Sequence, residues 1–347
     1  MAEPVPVAVL GASGYTGAEL VRLLAGHRFA RIVQLTAERQ AGRRLGEVFP
    51  HLAALDLPPL VRMEELDAER IAAVFCCLPH GLTQEVVAAL PRHLKVVDLS
   101  ADFRLKHPAA YEATYGHPHR APALQREAVY GLTEVYREEI RRARLVANPG
   151  CYTTCAELPL VPLLRAGLID PDRIVIDAKS GVSGAGREPK QGSLYCEVAE
   201  GFHAYGVATH RHTPEIEQVL AEAAGRPVEV IFTPHLVPMN RGILSTIYVD
   251  LAPGAQPRDL WAALDAAYRD EPFVRVLPFE KLPTTREVRG TNLCLIGVHR
   301  ARTTGRAILV SVLDNLVKGA SGQALQNFNV QHGLPETEGL PTLALFP

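Results

Sequence analysis

Val5-Pro6-Val7-Ala8-Val9-Leu10 runs directly into Gly11-Ala12-Ser13-Gly14-Tyr15-Thr16-Gly17, and residues 18–26 then carry helical periodicity. An apolar strand, a glycine turn and a helix in that order are the context a dinucleotide fingerprint requires. The glycines let the backbone approach a pyrophosphate, and the helix N-terminus favours its charge. The spacing is GxxGxxG rather than GxGxxG, so a ligand-free glycine turn competes as a reading of this stretch taken alone.

The pattern continues outward. Residues 32–37, 72–78, 96–99 and 145–147 read as strands, with helices over 81–90 and 134–142 between them. Such alternation implies a mostly parallel sheet with helices on both faces. Ligands bind such a sheet at the carboxyl ends of its strands. Gly11, Thr36, Pro79-His80, Ser100 and Cys151 all fall there. Beyond Cys151 the texture changes to longer strands, over 174–178, 228–232, 244–250 and 307–313, with helices at 214–224 and 257–269. The chain therefore reads as α/β: a Rossmann-type dinucleotide-binding domain plus an α+β catalytic and dimerisation domain. Residues 1–150 with 314–347 are expected in the first and 151–313 in the second. A final apolar helix is expected over 315–331, and Pro159 and Pro162 are expected to kink or shorten the helix that starts at Cys151.

At 347 residues and 47% hydrophobic content, two sizeable cores are within reach. The net charge is 36 − 38 = −2 with no basic run, which excludes a nucleic-acid surface as the leading reading. No apolar stretch approaches the roughly 20 residues that span a bilayer, and no signal peptide opens the chain. A cytoplasmic protein is expected. The six cysteines show no CxxC pair or zinc-like spacing, so neither a disulfide framework nor a metal site is expected.

Asn148-Pro149-Gly150-Cys151-Tyr152-Thr153-Thr154 places a cysteine between a tight turn and a helical run. Free N–H groups and the helix dipole stabilise negative charge at such a junction. A thiol there can fall below its free pKa of about 8.5 and act as a nucleophile. A small buried cysteine in a turn is the plainer alternative. A thiolate nucleophile needs a proton-transfer partner. His212 stands out among the thirteen histidines because Thr213 as N-cap and Pro214 at the first helical position would hold it at a rigid helix start. Ser180-Gly181-Val182-Ser183-Gly184-Ala185-Gly186 permits close approach to a planar ring or a phosphate. Arg104 either grips a phosphate bidentately or pairs with Asp102. Glu38 lies about 20 residues after Gly17, where an acid would hold the ribose diol of NAD. Arg39, Arg43 and Arg44 beside it would instead suit the extra phosphate of NADP.

Together these motifs resemble the N-acetyl-gamma-glutamyl-phosphate reductases, a branch of the semialdehyde dehydrogenase group in arginine biosynthesis. The resemblance rests on GASGYTG at 11–17, LPHG at 78–81, DLSADFR at 98–104, NPGCY at 148–152, KSGVSGAGR at 179–187, HRHTPEIEQ at 210–218, HLVPMNRGIL at 235–244 and DNLVKGASGQALQN at 314–327. It implies a Cys151 thioester formed from an acyl phosphate, His212 as acid/base, and NADP(H) as cofactor. It implies cofactor contacts from Gly11, Ser13, Gly14, Thr16, Gly17, Thr36, Arg39, Pro79, His80, Ser100, Ser183, Gly184, Gly186 and Asn315, and substrate or phosphate contacts from Arg104 and Arg211. The partner is a small acyl-phosphate molecule, with no nucleic acid or membrane, and the assembly a homodimer or homotetramer. Cys155 and Thr153 depart from the family's usual residues, and a second thiol beside Cys151 suggests sensitivity to oxidation. The rival readings are the lysine-pathway acyl-phosphate reductase, aspartate-semialdehyde dehydrogenase, and a non-catalytic NADP sensor.

Overall fold

The computed structural model describes residues 3–346, which divide into two compact units. The first comprises residues 3–149 with Ala320–Leu340, and the second Gly150–Gly319 with residues 341–346. The expected return at 314 therefore comes six residues later. Asp314 accepts hydrogen bonds from Gly290 N at 2.7 Å, and Asn315 from Gly242 N at 2.8 Å, which holds residues 314–319 in the second unit. The end of the chain joins the same unit through Asn292 N to Pro341 O (2.8 Å) and Leu345 N to Arg289 O (3.1 Å).

The first unit is built on seven strands: β1 (Val5–Leu10), β2 (Ala30–Thr36), β3 (Leu60–Val61), β4 (Ala73–Cys76), β5 (Lys95–Asp98), β6 (Val129–Tyr130) and β7 (Leu145–Ala147). They pair in parallel in the order β3-β2-β1-β4-β5-β7-β6. Strands of a parallel sheet covered on both faces read as continuous apolar runs, and β4 and β7 are buried at every position. Ala8, Leu10, Val74, Val96 and Leu145 pack on one face with Val87 of helix Thr83–Ala89. On the other, Phe75 meets Phe328 of helix Gly322–Gln331 with ring centroids 5.3 Å apart.

That last helix differs from the expectation of an apolar segment starting at Asn315. A π-helical turn, Val317–Ser321, precedes it, and the helix is buried throughout although half of it is amide side chains. Those amides satisfy loop carbonyls that have no strand partner. Gln323 and Asn327 donate to Gly131 O, Asn329 to Glu336 O and Glu338 O, and Gln331 to Ala143 O.

The second unit carries a mixed sheet of β8 (Ile169–Gly181), β9 (His203–Ala204), β10 (Val230–Val237), β11 (Ile243–Leu251), β12 (Val274–Val276), β13 (Cys294–Arg300) and β14 (Arg306–Leu313). Their order is β12-β13-β14-β11-β8-β10-β9, with parallel β8/β10 and β12/β13 pairs and antiparallel pairs elsewhere. Helix Cys151–Arg165 packs against this sheet and runs fifteen residues through Pro159 and Pro162 without ending. Pro162 has no N–H to offer the carbonyl four residues earlier. The hydroxyl of Tyr268 supplies that bond instead, donating to Leu158 O at 2.6 Å. No helix among the described residues is long and apolar enough to cross a membrane.

Candidate active site

The glycine loop of the first unit is shaped by crowding. Gly11 has φ +80°, and a Cβ there would lie 2.5 Å from Cys77 O. A Cβ on Gly17 would lie 2.6 Å from Gly11 O and 2.7 Å from Ala12 Cα. Gly14 differs: its nearest outside neighbour would be Gly11 O at 3.6 Å, which leaves space above it. It is also the N-cap of helix Tyr15–Leu24, with no side-chain cap and no acid in the first turn. The first-turn N–H groups thus face an open approach, the donor set a pyrophosphate needs. Ser13 and Thr16 are half-buried in the same loop and first turn, and the Thr16 side chain hydrogen-bonds Cys77.

Thr36 supports the loop from below. It is buried, its Oγ1 accepts from Gly11 N at 3.2 Å, and its carbonyl accepts from Gly11 and Ala12 N. Past the end of β2, one carboxylate oxygen of Glu38 accepts from Met63 N at 2.8 Å, while Arg39 is exposed in the same turn. Pro79 and His80 lie exposed beyond β4, with His80 5.7 Å from the Tyr115 ring.

At the end of β5, Asp98 is fully buried, and that burial pushes its carboxyl up to about 7 against two opposing hydrogen bonds from Ser100. The sequence left Arg104 between a phosphate and Asp102. Both groups are engaged within the fold. Arg104 is buried and donates to Asn148 O at 2.8 Å and Leu99 O at 3.0 Å. Asp102 accepts from Gly81 N, Thr83 N and the Tyr111 hydroxyl, capping helix Thr83–Ala89. Arg104 therefore braces the residue that precedes the Pro149-Gly150 turn.

Within the second unit, Cys151 is the first residue of its helix, with Gly150 as N-cap. Helix Thr213–Ala224 starts one residue earlier than expected, so His212 itself is the N-cap and Pro214 the second helical residue. That places the His212 ring against the Gly150 α-carbon: a methyl there would lie 2.5 Å from Nε2. Gly319 presses from another side, since its Cβ would lie 2.8 Å from Cys151 Cβ. Cys151 and His212 are thus brought together, with Arg211 exposed beside them.

Several residues here carried no signal in the sequence reading. Glu215 is buried, and its Oε1 accepts from Gly150 N at 2.8 Å. His210 Nδ1 accepts from His212 N at 3.1 Å, and the two rings lie 4.8 Å apart. Burial, with Arg211 adding to it, pushes His210 down to about 4, so the ring stays neutral. The Tyr205 hydroxyl donates to that of Tyr152 at 3.2 Å, and burial pushes the Tyr205 phenol up to about 12. A second histidine two places before His212 was the only available hint of this cluster.

The Ser183 loop is tied into the same unit. Asn315 accepts from Gly242 N at 2.8 Å and donates to Ser183 Oγ at 2.9 Å. Gly184 and Gly186 remain exposed, Gly186 with φ +86° and no neighbour within 4 Å of a Cβ. Cys155, in contrast, is buried, sits 3.3 Å from Ser311 O, and is pushed up to about 11 by burial. That overturns the expectation of an oxidation-prone neighbour, because a buried neutral thiol is inert.

Residues 6–143 match the family model for the semialdehyde dehydrogenase NAD binding domain, and residues 151–315 that for the semialdehyde dehydrogenase dimerisation domain. An N-acetyl-gamma-glutamyl-phosphate reductase of Rhodospirillum rubrum is 61% identical over 100% of both chains. The chain belongs to the N-acetyl-gamma-glutamyl-phosphate reductase family. A second such reductase, from Afipia carboxidovorans, is 59% identical over 99% of both chains. A probable chloroplastic reductase of this family from Arabidopsis thaliana is 58% identical over 98% of this chain and 85% of its own. Among solved structures, aspartate semialdehyde dehydrogenase II of Vibrio cholerae has a TM-score of 0.73 at 18% identity, covering 95% of this chain and 99% of that one. The Candida albicans enzyme, solved with NADP, gives 0.69 at 17%. These two likenesses show the fold that the reductase family shares.

Proposed function

We propose that this chain catalyses the NADPH-dependent reduction of N-acetyl-L-glutamyl 5-phosphate to N-acetyl-L-glutamate 5-semialdehyde, with release of phosphate. The observation that carries the reading is Cys151 at a helix N-terminus with His212 Nε2 against the adjoining Gly150. His212 takes the thiol proton, and the helix N-terminus favours the thiolate. Sγ attacks the acyl carbon, and the carbon–oxygen bond to phosphate breaks with its electron pair leaving on phosphate. The resulting thioester stays electrophilic, unlike a carboxylate. When bound, the reduced nicotinamide supplies hydride to that carbon. The thiohemiacetal then expels the Cys151 thiolate as aldehyde forms, and His212 handles the proton.

Gly11, Ser13, Gly14, Thr16 and Gly17 would hold the pyrophosphate, and Ser183, Gly184 and Gly186 the nicotinamide end. NADPH is preferred over NADH on the likeness to the reductase family, with Arg39 in the exposed turn after β2 assigned to the 2′-phosphate. Arg211 is assigned to the substrate, and the protein to the cytoplasm.

A second copy of the chain is proposed on the open face of the second sheet. Ile231, Val175, Tyr248 and Ile308 lie in register across β10, β8, β11 and β14, with Ile231 64% and Tyr248 43% exposed. An apolar row of this kind marks an interaction surface.

The test is phosphate-dependent reduction of NADP by N-acetylglutamate semialdehyde, with aspartate semialdehyde in parallel. Turnover should require the acetylated substrate, phosphate and Cys151. Turnover of aspartate semialdehyde instead, or none with NADP still bound, contradicts the reading.

A further inference from the structure

We propose that Glu215 is a positioning residue for the reaction, its carboxylate locking the turn that carries Cys151 against His212. The inference rests on the Cys151 reading above and adds a residue that the chemistry itself does not use.

Glu215 is 1% exposed, and a buried carboxylate is costly unless hydrogen-bonded. Its Oε1 accepts from Gly150 N at 2.8 Å and lies 3.0 Å from Thr153 Oγ1. Thr153 Oγ1 also lies 2.6 Å from Gly150 O, so its single hydrogen serves one of two acceptors at a time. Gly150 is therefore held at both ends of its backbone: at N–H by Glu215, and at its carbonyl by Thr153 and by Thr154 N at 3.0 Å. His212 is the N-cap of the helix whose third residue is Glu215. One rigid helix end thus presents the imidazole to the Gly150 α-carbon and the carboxylate to the Gly150 N–H. Removing the carboxylate frees the turn while Cys151 and His212 themselves stay unsubstituted.

The experiment combines reverse-direction turnover with peptide-resolved iodoacetamide alkylation of Cys151. The variants are Glu215→Gln, Glu215→Ala, Thr153→Val and Cys151→Ser. The amide oxygen of Glu215→Gln can still accept from Gly150 N, so kcat and Cys151 alkylation should stay within about threefold of wild type. Glu215→Ala should lose about 10–100-fold in kcat with KM moved less than about threefold, the scale of an ångström-level misplacement. Thr153→Val should slow turnover by about 3–10-fold on the same ground. A Gln variant as slow as the Ala variant overturns the proposal, because the charge rather than the acceptor would then matter. So does an Ala variant at wild-type kcat. If Glu215→Ala does not fold, the other two decide: a wild-type-like Gln with a slowed Val supports the proposal, and a slowed Gln or an unchanged Val overturns it. Turnover surviving in Cys151→Ser would instead remove the underlying reading. An inactive Cys151→Ser beside a fully active Glu215→Ala removes only the role of Glu215.

Discussion

The imidazole of His212 rests on the α-carbon of Gly150, so close that a methyl group there would stand 2.5 Å from Nε2. Residue 150 is a glycine for lack of space, since its φ of −67° is open to any residue. Gly150→Ala must therefore displace either His212 or the Cys151 turn. Turnover should fall by about 10²-fold, as expected for an ångström-scale misplacement of a catalytic group. Steady-state kinetics with a thermal melt checks this, and wild-type kcat in a folded variant would contradict it.

The glycine loop separates folding from cofactor binding. Gly17→Ala would place a methyl 2.6 Å from a backbone oxygen and should lower stability by about 1–3 kcal/mol, the usual cost of overpacking. Gly14→Ala makes only an ordinary contact, with Gly11 O at 3.6 Å, and should leave the melting temperature near wild type. It should nevertheless weaken NADPH binding by about tenfold, because the methyl occupies the approach to the helix N-terminus. Titration of cofactor fluorescence distinguishes the two, and an unchanged Kd in Gly14→Ala would place the pyrophosphate elsewhere.

Arg39→Ala should raise the Michaelis constant for NADPH more than that for NADH. Parallel kinetics with both cofactors measures this directly. Equal effects would remove Arg39 from the 2′-phosphate.

Asp98 gives stability a definite pH dependence. Its folded pKa of about 7 lies above the ordinary 3.8, so the folded state holds the proton more tightly. Stability from this group is present at low pH and is lost as pH rises from about 4 through 7. His210 and His332, both pushed down to about 4 by burial, contribute with the opposite sign, losing stability as pH falls from 6.5 towards 4. Comparing wild type with Asp98→Asn cancels the histidines. Relative to the variant, wild type should lose melting temperature between pH 5 and pH 8. Parallel curves would show that Asp98 is not the titrating group.

The glycine fingerprint, the alternation of strands and helices, and the Cys151 turn were legible because each is a local pattern of small or apolar residues. The nucleotide-binding half and the mixed second sheet followed from them. β13 escaped because a strand buried on both faces, Cys294-Leu295-Ile296-Gly297-Val298, has no alternation to read. The last helix was expected, but its later start at Gly322 and its amide-rich face were not, because that face is built on hydrogen bonds to distant loops. Pro159 and Pro162 argued against a long helix, and only the Tyr268 hydroxyl, over a hundred residues away, shows why it persists. Glu215 was hidden in the same way. A carboxylate in a first helical turn looks like an ordinary dipole partner until its contact with Gly150 N is seen.

The central claim is that Cys151 carries the acyl group. Its most direct test is mass spectrometry of the protein mixed with N-acetylglutamyl phosphate in the absence of reduced cofactor. An N-acetylglutamyl adduct should map to the Cys151 peptide, be missing in Cys151→Ser, and leave as the semialdehyde when NADPH is added. An adduct on another residue, or phosphate-releasing turnover in Cys151→Ser, would contradict the account.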